Sequence, residues 1–224
     1  MTADFHEQRV KMVDGQVRTT DVTNVAILSA MLTLPREDFV PAAKRALAYI
    51  DEDLEVAPAR DGKPARFLME PSPFARLLQL AGVRAGDLVL DVGCGTGYST
   101  AVLSRLASFV VAVESDSELA GRANEVLASL GCENVSVVEG PLTDGHAAQA
   151  PYDVIFINGA VDEVSPALFD QLNEGGRLVA VVGEGNSGWA TLYVKEDGLV
   201  SRRHGFNAAV KPLAEFRREP AFEF

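Results

Sequence analysis

The 224-residue sequence predicts an α/β fold: a doubly wound, mostly parallel sheet that ends in a β-hairpin and carries a helical extension at its N-terminal side. Three observations carry this. From about residue 80 onward, short β-rich apolar runs alternate with longer amphipathic stretches, the pattern of successive βαβ units. A glycine-rich turn follows the first of these runs, and the chain before residue 80 shows helical spacing instead.

The elements follow in order. Residues 25–34 (VAILSAMLTL) and 42–49 have helical spacing and are stopped by Pro35 and by the Asp51-Glu52-Asp53 cluster. Residues 56–73 hold four prolines and few periodic apolar positions, and read as a loop lying over the ligand-bearing edge of the sheet. Residues 87–92 (DLVLDV) read as a buried first strand, 100–107 as a helix and 109–114 (FVVAVE) as the second strand. In residues 117–130, Leu119, Ala120, Ala123, Val126, Leu127 and Leu130 recur at helical spacing, and Gly131 stands where a helix-ending glycine belongs. Strands are expected at 135–139, 152–158 (YDVIFIN) and 177–182 (RLVAVV), with a helix at 166–172 and a turn at Gly175-Gly176. Residues 190–195 and 199–204 flank Glu196-Asp197-Gly198, a three-residue hairpin link. The expected division is a helical segment with its covering loop at 1–79 and a sheet domain at 80–224, forming one compact unit.

Composition narrows the function classes. With 47% hydrophobic and 23% charged residues the chain can bury a substantial core. Its formal net charge of -12 opposes a phosphate backbone, so nucleic acid and anionic membranes are poor partners. Cys94 and Cys132 form no CxxC, and His6, His146 and His204 form no cluster, so neither a disulfide framework nor a metal site is expected. The start, MTADFHEQRV, lacks the apolar core of a secretory signal, and a cytoplasmic protein is expected.

The motif that carries chemistry is Asp91-Val92-Gly93-Cys94-Gly95-Thr96-Gly97, placed after the first strand and opening a helix. Glycines let a ligand approach the backbone, and helix N-terminal N–H groups lie nearby. Glu114, followed by Ser115, ends the next strand, where a carboxylate can accept hydrogen bonds from both hydroxyls of an adenosine ribose. Asp91 helps choose the ligand: a carboxylate beside the turn repels a pyrophosphate but can pair, directly or through water, with an amino-acid ammonium. The balance favours S-adenosylmethionine over NAD. Plain structural roles stay open for the same residues, Asp91 as a cap of the turn and Glu114 as a solvated strand end.

The DVGCGTG turn, the VAVE strand end, the stretch APYDVIFINGAVDEVSPALFDQLNEGGRLVAVVG and the N-terminal GQVRTTDVTNVAILSAMLTLPREDFVP together resemble the protein-L-isoaspartate O-methyltransferase family, over about residues 12 to 213. The resemblance implies a Rossmann-like methyltransferase sheet. It also implies S-adenosylmethionine as methyl donor, S-adenosylhomocysteine as product, and the carboxylate of an isoaspartyl residue in a protein or peptide as acceptor. A carboxyl with a pKa near ~4 is already ionised at neutral pH, so no general base is required. The implied cofactor residues are Asp91, Gly93, Cys94, Gly95, Thr96, Gly97, Glu114, Ser115, Pro141 and Leu142; those implied near the methyl group are Met69, Glu70, Ser72 and Asn158.

Two departures stand out. The family's Thr-x-Ser-x-Pro element, whose serine helps hold the acceptor, aligns on Pro71 so that Phe67 and Met69 replace both hydroxyls and Glu70 replaces a glutamine. Ser72 is a candidate displaced substitute. The family's Gly-Asp-Gly after the third strand, with its acidic residue near the adenine amino group, reads Gly140-Pro141-Leu142 here, and Asp144 is the candidate replacement. A methyltransferase with another acceptor, or a protein that binds the cofactor without turnover, are the alternatives these departures leave open.

Overall fold

The computed structural model describes residues 4–60, 62–183 and 185–218. Helices α1 (Phe5–Met12) and α2 (Val25–Thr33) open the chain, joined by a π-turn at Val13–Val17 and a 3-10 turn at Arg18–Thr20. Asn24 starts α2 by accepting from the N–H groups of Ala26 and Ile27, two donors with no partner within the helix. The stretch expected as a helix over 42–49 is a 3-10 segment, Ala42–Leu47, behind Pro41.

The largest correction concerns residues 56–73. Instead of a loop they contain most of an antiparallel pair, β1 (Leu54–Ala57) and β2 (Arg66–Leu68), and the start of α3 (Pro71–Ala81). Alternation of buried and half-buried positions supports both short strands. Pro71 and Pro73 lie in the first turn of α3, where a missing N–H costs nothing, so prolines that read as loop punctuation begin a helix.

The main sheet comprises β3 (Leu88–Val92), β4 (Phe109–Glu114), β5 (Val135–Glu139), β6 (Tyr152–Val161), β7 (Leu172–Val182), β8 (Trp189–Glu196) and β9 (Leu199–Asn207). Their order is β5-β4-β3-β6-β7-β8-β9, parallel through β7 and antiparallel at β8 and β9. The helices between are α4 (Tyr98–Ser104), α5 (Ser117–Ser129) and α6 (Pro166–Asp170). Three details differ from expectation. Strand β7 starts before the Gly175-Gly176 pair, which sits in a register shift rather than a turn. Strand β6 runs to Val161 across a second shift after Phe156. The hairpin link is two residues, Asp197-Gly198, both at positive φ, because Glu196 and Leu199 pair directly.

Both faces of the central strands are buried. Val89, Val110, Val154 and Phe156 point into a core shared with α3, α4, α5 and the N-terminal helices; Leu90, Val111, Ile155 and Ile157 point into a second core with Leu168 of α6 and Phe216. Arg36, fully buried, ties the N-terminal segment to the rest: its Nε donates to the Ala48 carbonyl at 2.8 Å and its Nη2 to the Met69 carbonyl at 2.7 Å. Among the described residues, no helix is long and apolar enough to cross a membrane.

Candidate active site

The site forms at the carboxyl ends of β3, β4 and β6, where ligands sit in open parallel sheets. Parallel pairing of β3 with β4 and β6 brings Asp91, the glycine turn, Glu114 and Asn158 to one edge. Gly97, at φ 95°, forms the N-cap of α4, and a Cβ there would lie 3.1 Å from Ala123 Cβ on α5. Gly93, at φ 78°, leaves room for Leu213 and the Arg66 guanidinium, 3.1 and 3.4 Å from where its Cβ would be. Thr96 faces away from this cleft, donating through Oγ1 to the Phe39 carbonyl at 2.6 Å, and the Cys94 thiol is buried.

Asp91 has no exposed surface. Its Oδ2 accepts from Ser99 Oγ at 2.6 Å and Thr100 Oγ1 at 2.7 Å, pinning the first turn of α4, while its buried Oδ1 has no donor among the described residues. Burial pushes this carboxyl up to about 6, against the pull of the two hydroxyls. Asn158, half-buried, donates from Nδ2 to Ser99 Oγ at 2.9 Å, so Ser99 links Asn158 to Asp91.

Glu114 is also fully buried, and its carboxylate is crowded with donors. Oε1 accepts from Arg66 Nη1 at 2.5 Å and from the N–H groups of Ser115 and Asp116; Oε2 accepts from Arg66 Nη2 at 2.8 Å and from Gly95 N–H at 2.7 Å. The next carboxylate, Asp116, caps α5 and pairs with Lys63 at 3.2 Å and Arg60 at 3.4 Å. Three basic residues of the β1–β2 hairpin thus fasten it to the end of β4, through Arg66, and to the start of α5, through Arg60 and Lys63. Beside them lies a cavity of about 240 Å³ lined by Lys63, Arg66, Ser115, Asp116, Leu142 and Leu213.

Leu142 is buried in this wall, whereas Pro141 is exposed at its edge. The Leu142 N–H donates to Glu215 Oε2 at 2.9 Å, and Glu215 also lines the cavity. Asp144, the expected acidic replacement, is exposed and does not line it. The carboxylate arrives from a 3-10 turn at Ala214–Phe216, 73 residues further on, a separation at which no sequence pattern signals proximity.

On the opposite side are Phe67, Met69, Glu70 and Ser72. Met69 is buried, with its carbonyl held by Arg36; Phe67 is half-buried and lies 5.5 Å from Lys211 Nζ. Glu70 precedes α3, and its N–H donates to Asp53 Oδ1 at 2.9 Å. Burial, then the charges of Asp53, Asp51 and Glu52, push the Glu70 carboxyl up to about 7. Ser72 is half-buried on the first turn of α3.

Comparison with known proteins places this geometry. The model of the protein-L-isoaspartate(D-aspartate) O-methyltransferase family matches residues 7–215. The chain belongs to this family. A Koribacter versatilis protein-L-isoaspartate O-methyltransferase is 41% identical over 179 residues, 80% of this chain and 78% of the relative. One from Methanoculleus marisnigri is 37% identical over 201 residues, 89% of each. A solved protein-L-isoaspartate O-methyltransferase superposes with a TM-score of 0.80 at 31% identity, covering 92% of this chain and 65% of that one. A Plasmodium falciparum protein solved with S-adenosyl-L-homocysteine shares the fold at a TM-score of 0.76 and 18% identity, over 94% of this chain and 99% of that one.

Phe67 and Met69, at the positions expected near the acceptor, carry no hydroxyl, and the burial of Met69 and the bond from Arg36 to its carbonyl fix β2 and the residues before α3. Arg66, Arg36, Lys211 and Glu215 are the site residues sequence reasoning missed. Arg36, inside the LPRE segment, and Arg66, inside residues 56–73, lay in stretches already singled out.

Proposed function

We propose that this chain is an S-adenosylmethionine-dependent methyltransferase that esterifies the carboxylate of isoaspartyl residues in proteins or peptides of the cytoplasm. The observation that carries the reading is the joint placement of the left-handed glycine turn and Glu114 at one sheet edge, in a chain of this family. Unpaired, buried Cys94 and Cys132 agree with a reducing compartment.

The residues present fit the cofactor. Gly93, Gly95 and Gly97 allow close backbone approach, the unpartnered Asp91 Oδ1 suits an ammonium, and the cavity beyond Ser115 offers apolar Leu142 and Leu213 to a base. When bound, S-adenosylmethionine supplies an electrophilic methyl on a cationic sulfur. The chain's part is to align an already ionised acceptor oxygen with that methyl and to exclude water, a contribution of roughly 7–11 kcal/mol for well-oriented groups. The attacking oxygen gains the carbon as the sulfur bond breaks, no proton moves, and no side chain has to act as base. Met69, Glu70, Ser72 and Asn158 line the approach as positioning groups.

Transfer of labelled methyl to an isoaspartyl peptide, with the normal aspartyl peptide as control, tests the reading. Ester formation on the isoaspartyl peptide alone is expected. Background transfer by protein that binds S-adenosylhomocysteine in calorimetry would overturn it.

A further inference from the structure

The acceptor side contains a cation whose ammonium makes no hydrogen bond or close ion pair among the described residues. After β9 the chain crosses the edge of β6, where Ala160 N–H donates to the Lys211 carbonyl at 3.0 Å and Leu213 N–H to the Ala160 carbonyl at 2.9 Å. These bonds fix the Lys211 backbone against the strand that carries Asn158 and Gly159. Its side chain reaches the face of Phe67, with Nζ 5.5 Å from the ring centroid. Lys211 is exposed, and its ammonium forms no close ion pair or hydrogen bond among the described residues; its charge acts at longer range on Asp53, whose carboxyl burial pushes up and Lys211 draws back.

The neighbouring cations are buried or paired. Arg36 gives Nε and Nη2 to two carbonyls and is sealed from the surface, its Nη1 buried without a partner; Arg66 pairs with Glu114, and Arg60 and Lys63 pair with Asp116. The anions facing the acceptor wall, Asp53 and Glu70, oppose a negatively charged acceptor, and Phe67 and Met69 offer it no donor. A carboxylate entering this wall therefore requires a cation, and a lysine stacked on an aromatic rim with its donors free supplies one.

Resting on the function proposed above, we propose that Lys211 is the acceptor-binding residue of this enzyme: its ammonium, held beside Phe67 at the edge of β6, takes the carboxylate of the isoaspartyl acceptor in place of the missing hydroxyls. Lys211 is therefore a determinant of acceptor affinity and not of cofactor affinity.

The test is equilibrium binding of a fluorescent isoaspartyl peptide to the full chain saturated with S-adenosylhomocysteine, for the wild type, Lys211→Met and Lys211→Arg, beside a peptide whose isoaspartyl carboxylate is an amide. Methionine keeps an unbranched apolar stem, and melting curves with calorimetry on S-adenosylhomocysteine check that fold and cofactor site are unchanged. Expected is on the order of tenfold weaker peptide binding for Lys211→Met, the size of one charge-assisted hydrogen bond, with binding largely kept by Lys211→Arg. The amide peptide should bind the wild type and Lys211→Met equally weakly. Equal isoaspartyl binding by wild type and Lys211→Met, an equal loss for the amide peptide, or no peptide binding by the wild type would each overturn the proposal. Failure of the two readings is distinguishable. Lysine-dependent binding without methyl transfer sinks the function and leaves the clamp standing, whereas transfer with the same KM in Lys211→Met sinks the clamp and leaves the function.

Discussion

Arg66 and Glu114 meet through two parallel N–H···O contacts, at 2.5 and 2.8 Å, with both side chains almost wholly buried. The carboxylate that sequence reasoning assigned to ribose hydroxyls is thus already saturated. Ribose can reach Glu114 only by taking the place of Arg66, because the Gly95, Ser115 and Asp116 N–H groups are fixed by the backbone. Arg66→Gln is expected to tighten S-adenosylhomocysteine binding while lowering thermal stability. Removing one partner of a buried pair costs about 3–5 kcal/mol where nothing else compensates. Here three backbone donors remain on Glu114, so a loss near the lower bound is expected. Calorimetry and melting curves on the same variant check the split; weaker binding together with lower stability would show that Arg66 helps hold the cofactor.

Much of this arrangement was legible in the sequence because it is local. Strands β4 and β5 begin and end where their apolar runs do, and the glycine turn identifies its own strand and helix. What escaped notice is set by long-range pairing. Arg66 reaches Glu114 across 48 residues and Glu215 reaches Leu142 across 73, and single residues at such separations leave no periodic trace. The β1–β2 hairpin was hidden for a different reason. Its strands are four and three residues long, too short for alternation to stand out from the prolines around them.

Glu70 predicts a pH dependence on the acceptor side. Its carboxyl titrates at about 7 because it is partly buried and faces Asp53, Asp51 and Glu52. Above that pH it is ionised and repels an acceptor carboxylate; below it the neutral acid does not. The KM for an isoaspartyl peptide is expected to rise as pH increases through 7, with kcat changing less. Glu70→Gln should flatten this rise and give the lower KM at pH 8. A Glu70→Gln profile that still climbs through pH 7 would assign the titration to another group.

Asp91 predicts a pH dependence of stability with a defined sign. Its folded-state carboxyl titrates at about 6, above the ordinary 3.8, so the folded protein holds this proton more tightly than the unfolded chain. The stability from this group is fully present below pH 3.8, is lost as pH rises toward 6, and does not change further above that. The difference corresponds to about 3 kcal/mol. Asp91→Asn keeps one oxygen for Ser99 and Thr100, which share a single carboxylate oxygen in the structure. The stability of Asp91→Asn relative to wild type should therefore rise between pH 4 and pH 6, measured by denaturant unfolding at each pH. Its S-adenosylmethionine affinity should fall, because the charge facing the ammonium is gone.

Gly97 and Gly95 separate folding from ligand approach within one turn. Both have positive φ, 95° and 58°, so alanine at either is strained by roughly 1–2 kcal/mol. At Gly97 the added Cβ also meets Ala123 Cβ at 3.1 Å and Leu127 Cδ1 at 3.3 Å, pressing α5 away from α4. At Gly95 nothing lies within 4 Å, and the Cβ would enter the space a ligand needs. Gly97→Ala is therefore expected to lose more stability, about 2–3 kcal/mol once overpacking is included, lowering Tm by roughly 4–12 °C for a chain of this size. Gly95→Ala should lose less stability and more cofactor affinity. Melting curves and S-adenosylhomocysteine titrations of the two variants check the crossing. If Gly95→Ala bound the product as well as wild type, the open side of the turn would not be where the cofactor lies, and the ligand would have to approach from the Gly93 side, between Leu213 and Arg66.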